Sequence, residues 1–338
     1  MKKILFAAVA VMAMAACSNE DVISRPALPV IGFDNAFVEN STRAADITAS
    51  NLINFGVYGS VVNSSEQQGM IFANEEVTKT TDGYTYSPAQ YWIADAKYDF
   101  VAFAPYQSVA DATWTYAPAV GTAAENGTIT FDNAKAGANQ DFLFAATSCE
   151  TPETFNKKPD AVCFTFKHIL SKIAFKFENT FTDGNTSLSI YNVKINNTAK
   201  KGTMVINAGV DQAWADAEDL VVPFGTQSAD VDLNEDAAIG NGANLVVDHQ
   251  YIIPANREYV ITFDVDLYQA GVYLATYKHE IKKTINFAKN GNYSLNVKLS
   301  PENVNPSAQL YPIEFTVDAV TGWTEQDVVL KEPTTGNN

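Results

Sequence analysis

The feature that most constrains the fold is a period-two alternation of apolar and polar residues along most of the chain. In REYVITFDVDLY the apolar positions are Tyr259, Ile261, Phe263, Val265 and Leu267. In NYSLNVKLS they are Tyr293, Leu295, Val297 and Leu299. A spacing of two puts side chains on one face of an extended strand. Such strands, separated by Gly, Asn, Asp and Pro, predict an all-β chain built from antiparallel sandwiches.

Two further runs show the same alternation. VCFTFKHILSKIAFKFEN predicts an inward face made of Val162, Phe164 and Phe166 and, after a short break, Ile173, Phe175 and Phe177. NLINFGVYGSVV predicts an inward face made of Ile53, Phe55, Val57 and Val61. Between the strand-rich halves lies a polar segment with two prolines, 149–161. The length of 338 residues suits two domains, and this segment predicts their boundary.

The N-terminus predicts the compartment of the chain. Lys2 and Lys3 precede an apolar run, 4–16, that is shorter than the roughly 20 residues of a membrane-spanning helix. We expect residues 1–16 to be a secretory signal peptide. Small residues precede Cys17, as in a bacterial lipobox, so Cys17 is the predicted lipid acceptor, and acyl chains contribute about 0.8 kcal/mol per buried CH₂. The alternative is an ordinary signal peptide followed by a chance cysteine.

The net charge bears on which molecules the chain can bind, and the cysteine content bears on whether it contains a disulfide. The chain has 22 Lys and Arg against 39 Asp and Glu, a net charge of −17, which repels phosphate and argues against nucleic-acid binding. Apart from Cys17, the cysteines are Cys149 and Cys163. They could form a disulfide in an oxidising compartment or remain two free thiols, and the sequence leaves both open.

Motifs for catalysis or metal binding are missing from the sequence. Its three histidines, His168, His249 and His279, have no metal-ligand spacing, and GxSxG, CxxC, P-loop and GxGxxG patterns are absent. A partial calcium loop at 232–243 has alanine where the loop needs Gly and Glu. We therefore expect no catalytic residues, no cofactor and no metal, and we do not expect an enzyme. His168 is expected to be a packed or turn-capping side chain.

Arg43 lies in NSTRAADIT, a stretch of small polar residues typical of an exposed loop. Exposed loops are preferred sites of proteolysis, so this is a candidate processing site. The alternative is a surface arginine without a role.

The chain resembles the fimbrillin family, the type V pilins. The resemblance covers most of the 338 residues in the expected order. It starts at the Cys17 lipobox and continues through TRAADITASNLINFGVYG (42–59), YTYSPAQYWIADAKYDFVAFAPY (84–106), DFLFA (141–145), FTFKHILSKIAFKFEN (164–179) and FTVDAVTGWTEQDV (315–328).

This resemblance implies two transthyretin-like antiparallel β-sandwich domains, an N-terminal one at 44–152 and a C-terminal one at 159–338. It also implies an outer-membrane lipoprotein precursor with a lipidated prosegment, 17–43. A trypsin-like protease would cleave between Arg43 and Ala44 and release an N-terminal strand. The emptied groove would then accept a strand from another fimbrial subunit, and the subunits would polymerise into a surface fimbrium that serves adhesion.

Candidates for both strands can be placed on the sequence. PVIGFDNAF, with Ile31, Phe33 and Phe37 on one face, is the candidate for the departing strand. The C-terminal segment TEQDVVLKEPTTGNN is the candidate donor, through Val328, Val329 and Leu330. The alternative for this tail is an ordinary edge strand of its own subunit.

A second function from a different class is a tip adhesin or glycan-binding surface lipoprotein that stays anchored. It would meet a host or bacterial surface receptor. Sugar rings could stack on exposed tryptophans, for which the candidates are Trp92, Trp114, Trp214 and Trp323. The alternative is that these few tryptophans are core residues.

Overall fold

The computed structural model of the chain describes residues 28–38, 47, 51–108, 114–118, 127–133, 140–206, 215–223, 244–308 and 312–319. The named elements of this part are seventeen β-strands, which confirms the all-β class. In the same part, no helix is long and apolar enough to cross a bilayer.

The first sheet has seven strands. Their order is β1 (Phe33–Val38), β9 (Val162–His168), β8 (Leu143–Glu150), β5 (Ala96–Ala104), β2 (Asn54–Asn63), β3 (Gln68–Thr80) and β4 (Gly83–Thr85).

Two further sheets follow. One has the order β13 (Asn244–Ile252), β10 (Ser171–Asn179), β16 (Asn292–Leu299) and β17 (Glu314–Ala319). The other has the order β15 (Val272–Asn286), β14 (Asn256–Gln269), β11 (Thr186–Val205), β7 (Gly127–Asp132) and β6 (Trp114–Pro118), and β12 (Ala215–Pro223) also pairs with β11.

Three apolar clusters stabilise these sheets. The first lies inside the seven-stranded sheet around Phe55, Phe100 and Phe164. The second fills the space between the other two sheets. The third joins the seven-stranded sheet to the sheet that contains β6, because Phe103 of β5 packs with Trp114 of β6 in the same buried cluster.

The alternation predicted from the sequence is confirmed in most strands. All the predicted inward residues of β16 are buried, and so are those of β9 and β10. The prediction that Ile53 faces inward was wrong, because β2 begins at Asn54 and Ile53 is 66% exposed. Its neighbour Leu52 is buried instead.

Strand direction differs from the expectation in two places. β1 pairs with β9 and β10 pairs with β16 in parallel, whereas the sequence predicted antiparallel sheets. Each parallel pair joins strands far apart in the chain, so the connection between them is long enough to permit a crossover.

The domain division at 44–152 and 159–338 stays a prediction. Strands on each side of this boundary pair with strands on the other side. β7 precedes the boundary and pairs with β11, while β9 follows the boundary and pairs with β8.

Candidate functional site: the groove that holds the N-terminal strand

The N-terminal segment 29–38 lies in a groove at the edge of the first sheet. On one side, β1 runs parallel to β9, with Phe33 opposite Val162 and Val38 opposite Phe166. The amide of Val162 donates a hydrogen bond to the carbonyl of Gly32 at 2.8 Å. β9 therefore forms the first wall of the groove.

The loop between β4 and β5 forms the second wall. The amide of Ile31 donates to the carbonyl of Gln90 at 2.9 Å, and the amide of Trp92 donates to the carbonyl of Pro29 at the same distance. The hydroxyl of Tyr86 donates to the carbonyl of Ile31 at 2.7 Å. The segment is thus hydrogen-bonded along its length, to the β4–β5 loop at residues 29–31 and to β9 from Gly32 onward.

The floor of the groove is aromatic. Phe33 is 4% exposed and Ile31 is fully buried. The ring of Phe33 lies between 5.4 and 6.2 Å, centroid to centroid, from five other rings. They belong to Phe55, Phe72, Tyr86, Phe100 and Phe164. Aromatic residues dominate burial in cores, and edge-to-face pairs add to it, so Phe33 is the anchor of the segment.

A bulge changes the face predicted for this strand. The register of β1 against β9 shifts between Asp34 and Phe37. A bulge puts one extra residue into a strand, so the period of two is interrupted there. Ala36 is consequently buried after Ile31 and Phe33. The side chain of Phe37 lies outside the described part of the structure.

Two tyrosines beside the segment are neutral. Burial raises the pKa of Tyr86, although its hydrogen bond at Gln90 acts in the opposite direction. Burial, helped by the carboxylate of Asp34, also raises the pKa of Tyr84. Both phenols therefore stay neutral at physiological pH, and apolar burial and backbone hydrogen bonds contribute to holding the segment.

Removal of the segment would change the chemistry of this edge. Burial of side chains such as Ile31 and Phe33 contributes about 1.5–3 kcal/mol each. Each backbone hydrogen bond contributes about 1 kcal/mol net. An empty groove would expose the rings of the floor and unpaired N–H and C=O groups on β9, and such an edge pairs readily with another strand.

Away from the groove, the buried titratable side chain of His168 has a structural partner. Among the described residues, no group of three or more His, Cys, Asp and Glu could hold a metal ion. His168, at the end of β9, is buried, and its Nδ1 lies 2.9 Å from a carboxylate oxygen of Asp141. The amide of Phe142 donates to the same carboxylate at 2.8 Å. His168 is therefore a packed side chain, as expected.

The structure also places the two internal cysteines and two of the tryptophans. Cys149 and Cys163 are free thiols. Burial raises the pKa of Cys149 to about 11, with a smaller contribution from Asp99. Trp92 is 1% exposed and Trp114 is 2% exposed. These two indoles therefore pack in the core, which was the alternative for the candidate tryptophans, and neither is exposed for sugar stacking.

Several predicted residues lie outside the described part of the chain. They are Cys17, Arg43, Ala44, Trp214, Trp323, Val328, Val329, Leu330 and the 232–243 loop. Conversely, sequence reasoning missed Tyr86 and Gln90 as partners of the N-terminal segment. They lie in a loop without periodic pattern, and only the aromatic content of YTYSPAQYW (84–92) signals a packed region.

Comparisons with known proteins find a family and several similar chains. The fimbrillin-like family matches residues 42–317. The fimbrium subunit Fim1C of Phocaeicola vulgatus is 28% identical over 198 residues, which cover 51% of this chain and 50% of that relative. The match thus spans about half the length of the relative.

Three solved structures also resemble this fold. A candidate cell adhesion protein from Bacteroides uniformis has 16% identity and a TM-score of 0.49, with 87% of this chain and 99% of that chain covered. The fimbrial anchor protein Mfa2 from Porphyromonas gingivalis has 8% identity and a TM-score of 0.42, with coverages of 87% and 98%. A fimbrial assembly protein from Parabacteroides distasonis has 13% identity and a TM-score of 0.42, with coverages of 88% and 99%.

Proposed function

Because the chain belongs to the fimbrillin-like family, we propose that it is a structural subunit of a cell-surface fimbrium that serves adhesion. In this proposal it is made as an outer-membrane lipoprotein precursor and polymerises by strand exchange with other fimbrial subunits. The observation that carries the proposal is the segment 29–38, which is hydrogen-bonded first to the β4–β5 loop and then to β9, and which buries Ile31 and Phe33.

The geometry of the segment fits a replaceable strand. Its hydrogen bonds to β9 and to residues 86–92 are mostly backbone contacts, which any extended chain can reproduce. Specificity rests on apolar side chains such as Ile31 and Phe33. A donor therefore needs apolar residues at alternate positions.

Processing explains how the groove becomes empty. We propose that Cys17 carries the lipid and that a trypsin-like protease cuts between Arg43 and Ala44. Arg25 is an unsuitable site, because Pro26 follows it. Cleavage after Arg43 cuts the polypeptide between the segment and the sandwich, so the strand can then leave without unfolding the remaining strands.

We propose the C-terminal residues Val328, Val329 and Leu330 as the donated strand. Val328 and Leu330 alternate with polar Asp327 and Lys331, so one face is apolar. Ordering a free tail costs about 1–2 kcal/mol per residue, so donation requires a groove that buries its apolar side chains well. The aromatic floor of the groove meets this need.

The experiment compares two arginine variants in the presence of trypsin. Arg43→Ala should fold like the wild type and fail to polymerise, because the segment stays attached. Arg25→Ala is the matched control and should polymerise normally. Electron microscopy of the treated samples gives the readout. Fibres formed by Arg43→Ala would contradict the proposed processing site, and wild-type protein that never forms fibres would contradict the proposed function.

A further inference from the structure

Residues 29–31 and the β4–β5 loop form a short two-stranded ribbon with two different faces. Val30 and Tyr91 are an antiparallel pair, and main-chain hydrogen bonds flank this pair on both sides. In a pair of this type the two side chains lie especially close together. Because side chains alternate along an extended chain, Ile31 and Trp92 point to the opposite face, where both are buried.

The outer face of this ribbon is apolar although it is exposed. Val30 is 39% exposed and Tyr91 is 49% exposed. Leu28 and Ile93 lie two residues from this pair, and therefore on the same face, and they are 56% and 46% exposed. The solvent-facing side of antiparallel strands is normally polar, and exposed apolar residues that are contiguous mark interaction sites. These four residues, Leu28, Val30, Tyr91 and Ile93, are called the ribbon patch.

The ribbon patch is joined to the proposed lipid acceptor by a short tether. Ten residues, 18–27, separate Leu28 from Cys17. An extended chain spans at most about 3.3–3.6 Å per residue, so Leu28 lies within about 40 Å of Cys17. A short tether gives the two ends a high effective concentration for each other's surroundings. The surface that holds the acyl chains of Cys17 is therefore always within reach of the patch.

The position of the cleavage site favours a lipid surface over a second copy as the partner. Leu28 and Val30 precede Arg43, so the proposed cut removes them together with the departing segment. The complete ribbon patch therefore exists only in the form of the chain that still carries the acyl chains. A contact between assembled subunits would already have lost half of its residues.

We propose that the ribbon patch lies on the phospholipid surface in which the acyl chains of Cys17 are anchored. This inference rests on the proposed lipidation of Cys17 and does not depend on strand exchange. Tyr91 suits this position, because a tyrosine ring buries apolar atoms while its hydroxyl stays among the headgroups. The net charge of −17 gives no attraction to anionic lipids, so the contact relies on apolar burial and persists at high salt.

The second contact gives the precursor an orientation on the membrane. A tether alone would let the folded part of the chain rotate freely, whereas the ribbon patch places residues 29–31 next to the bilayer. Cleavage after Arg43 removes the acyl anchor and half of the patch in one step. The core then has neither contact with the lipid, so it detaches from the surface.

The test uses the lipidated precursor in phosphatidylcholine vesicles and reads the patch with an added tryptophan. Ile93→Trp places an indole in the ribbon patch, and brominated lipids quench indoles that touch their acyl chains. After subtraction of the wild-type signal, its emission should be lower in brominated than in unbrominated vesicles, at low and at high salt. Ile53→Trp is the matched control, because Ile53 is exposed in the same sandwich but lies outside the patch, and its emission should not change.

A second pair of variants tests whether the ribbon patch itself makes the contact. Tyr91→Asp in the Ile93→Trp chain adds a carboxylate, which is costly to bury in lipid, so the quenching should be lost. The chain should still float with the vesicles through its acyl chains. Ile53→Asp in the Ile93→Trp chain adds the same charge elsewhere and should keep the quenching. If Ile93→Trp does not fold, Tyr91→Trp carries the indole and Ile93→Asp replaces Tyr91→Asp.

Three results would overturn the proposal. Equal quenching of Ile93→Trp and Ile53→Trp would mean that no particular face lies on the lipid. Quenching that survives Tyr91→Asp would mean that the patch is not the contact. Quenching that disappears as the protein concentration rises, with dimers in sedimentation, would mean that a second copy covers the patch.

Vesicle flotation separates this inference from the proposed lipidation. A wild-type precursor that does not float with the vesicles would refute the lipid on Cys17, and the inference would fall with it. A precursor that floats without quenching of Ile93→Trp would refute the ribbon patch alone. Fibre formation enters neither measurement, so both results are distinct from failure of strand exchange.

Discussion

Replacing Phe33 by alanine should weaken the hold of the groove on the N-terminal strand more than any other single truncation in that strand. Phe33 is 4% exposed and lies within 6.2 Å, centroid to centroid, of five aromatic rings. A buried Phe→Ala change costs about 3–5 kcal/mol, because it removes apolar burial and leaves a cavity. The rings around Phe33 come from several strands, so they cannot easily collapse into the space.

Two assays measure this cost. Urea unfolding of the uncleaved precursor should give a free energy of unfolding lower by about 3–5 kcal/mol. After cleavage at Arg43, the same loss should accelerate dissociation of the segment by a factor on the order of 10²–10³, since each 1.4 kcal/mol is tenfold. Mass spectrometry of the core over time follows this dissociation.

The control is Ile53→Ala in the same sandwich. Ile53 is 66% exposed, so its truncation should change stability by less than about 0.5 kcal/mol. If Phe33→Ala unfolds at the same urea concentration as Ile53→Ala, or if the cleaved segment dissociates at the wild-type rate, Phe33 is not the anchor. The argument for a tightly filled groove would then be refuted.

Two buried titratable groups make the stability depend on pH. Burial raises the pKa of Asp99. Its contribution to stability is therefore fully present below the unfolded pKa and is lost as pH rises through the folded pKa. Asp99→Asn should remove this loss, so urea midpoints measured from pH 4, near the usual carboxyl pKa, to pH 8 should fall less steeply with rising pH. Burial lowers the pKa of His279, which stacks on Phe263 at 4.9 Å. The contribution of His279 to stability is present above the unfolded pKa of about 6.5 and is lost as pH falls through the lower folded pKa. His279→Gln should therefore flatten the acid side of a plot of melting temperature against pH. An unchanged plot would refute this.

Much of the fold follows from local pattern. The alternate residues of β14 from Tyr259 to Val265 are buried, because a sheet with one covered face forces a period of two. The same reasoning fails at Ile53, which precedes its strand by one residue. Element boundaries depend on hydrogen-bonding partners, such as the bond from the Lys79 amide to the Ile53 carbonyl, and these are not visible in a periodic pattern.

The candidate site was only partly predictable. The pattern in PVIGFDNAF correctly indicated a strand with Ile31 and Phe33 on its inner face. The partners of that strand were not predictable, because β9 is distant in the chain and Gln90 lies in a loop.

The most direct test of the proposed function is the N-terminal residue of the protein in fibres sheared from the cell surface. The account predicts a chain that begins at Ala44 and has lost the segment that contains Phe33. Edman degradation or mass spectrometry of the purified fibre identifies this residue. Fibre subunits that still carry Phe33 on an uncut chain would contradict the account, because their groove would remain filled by their own strand.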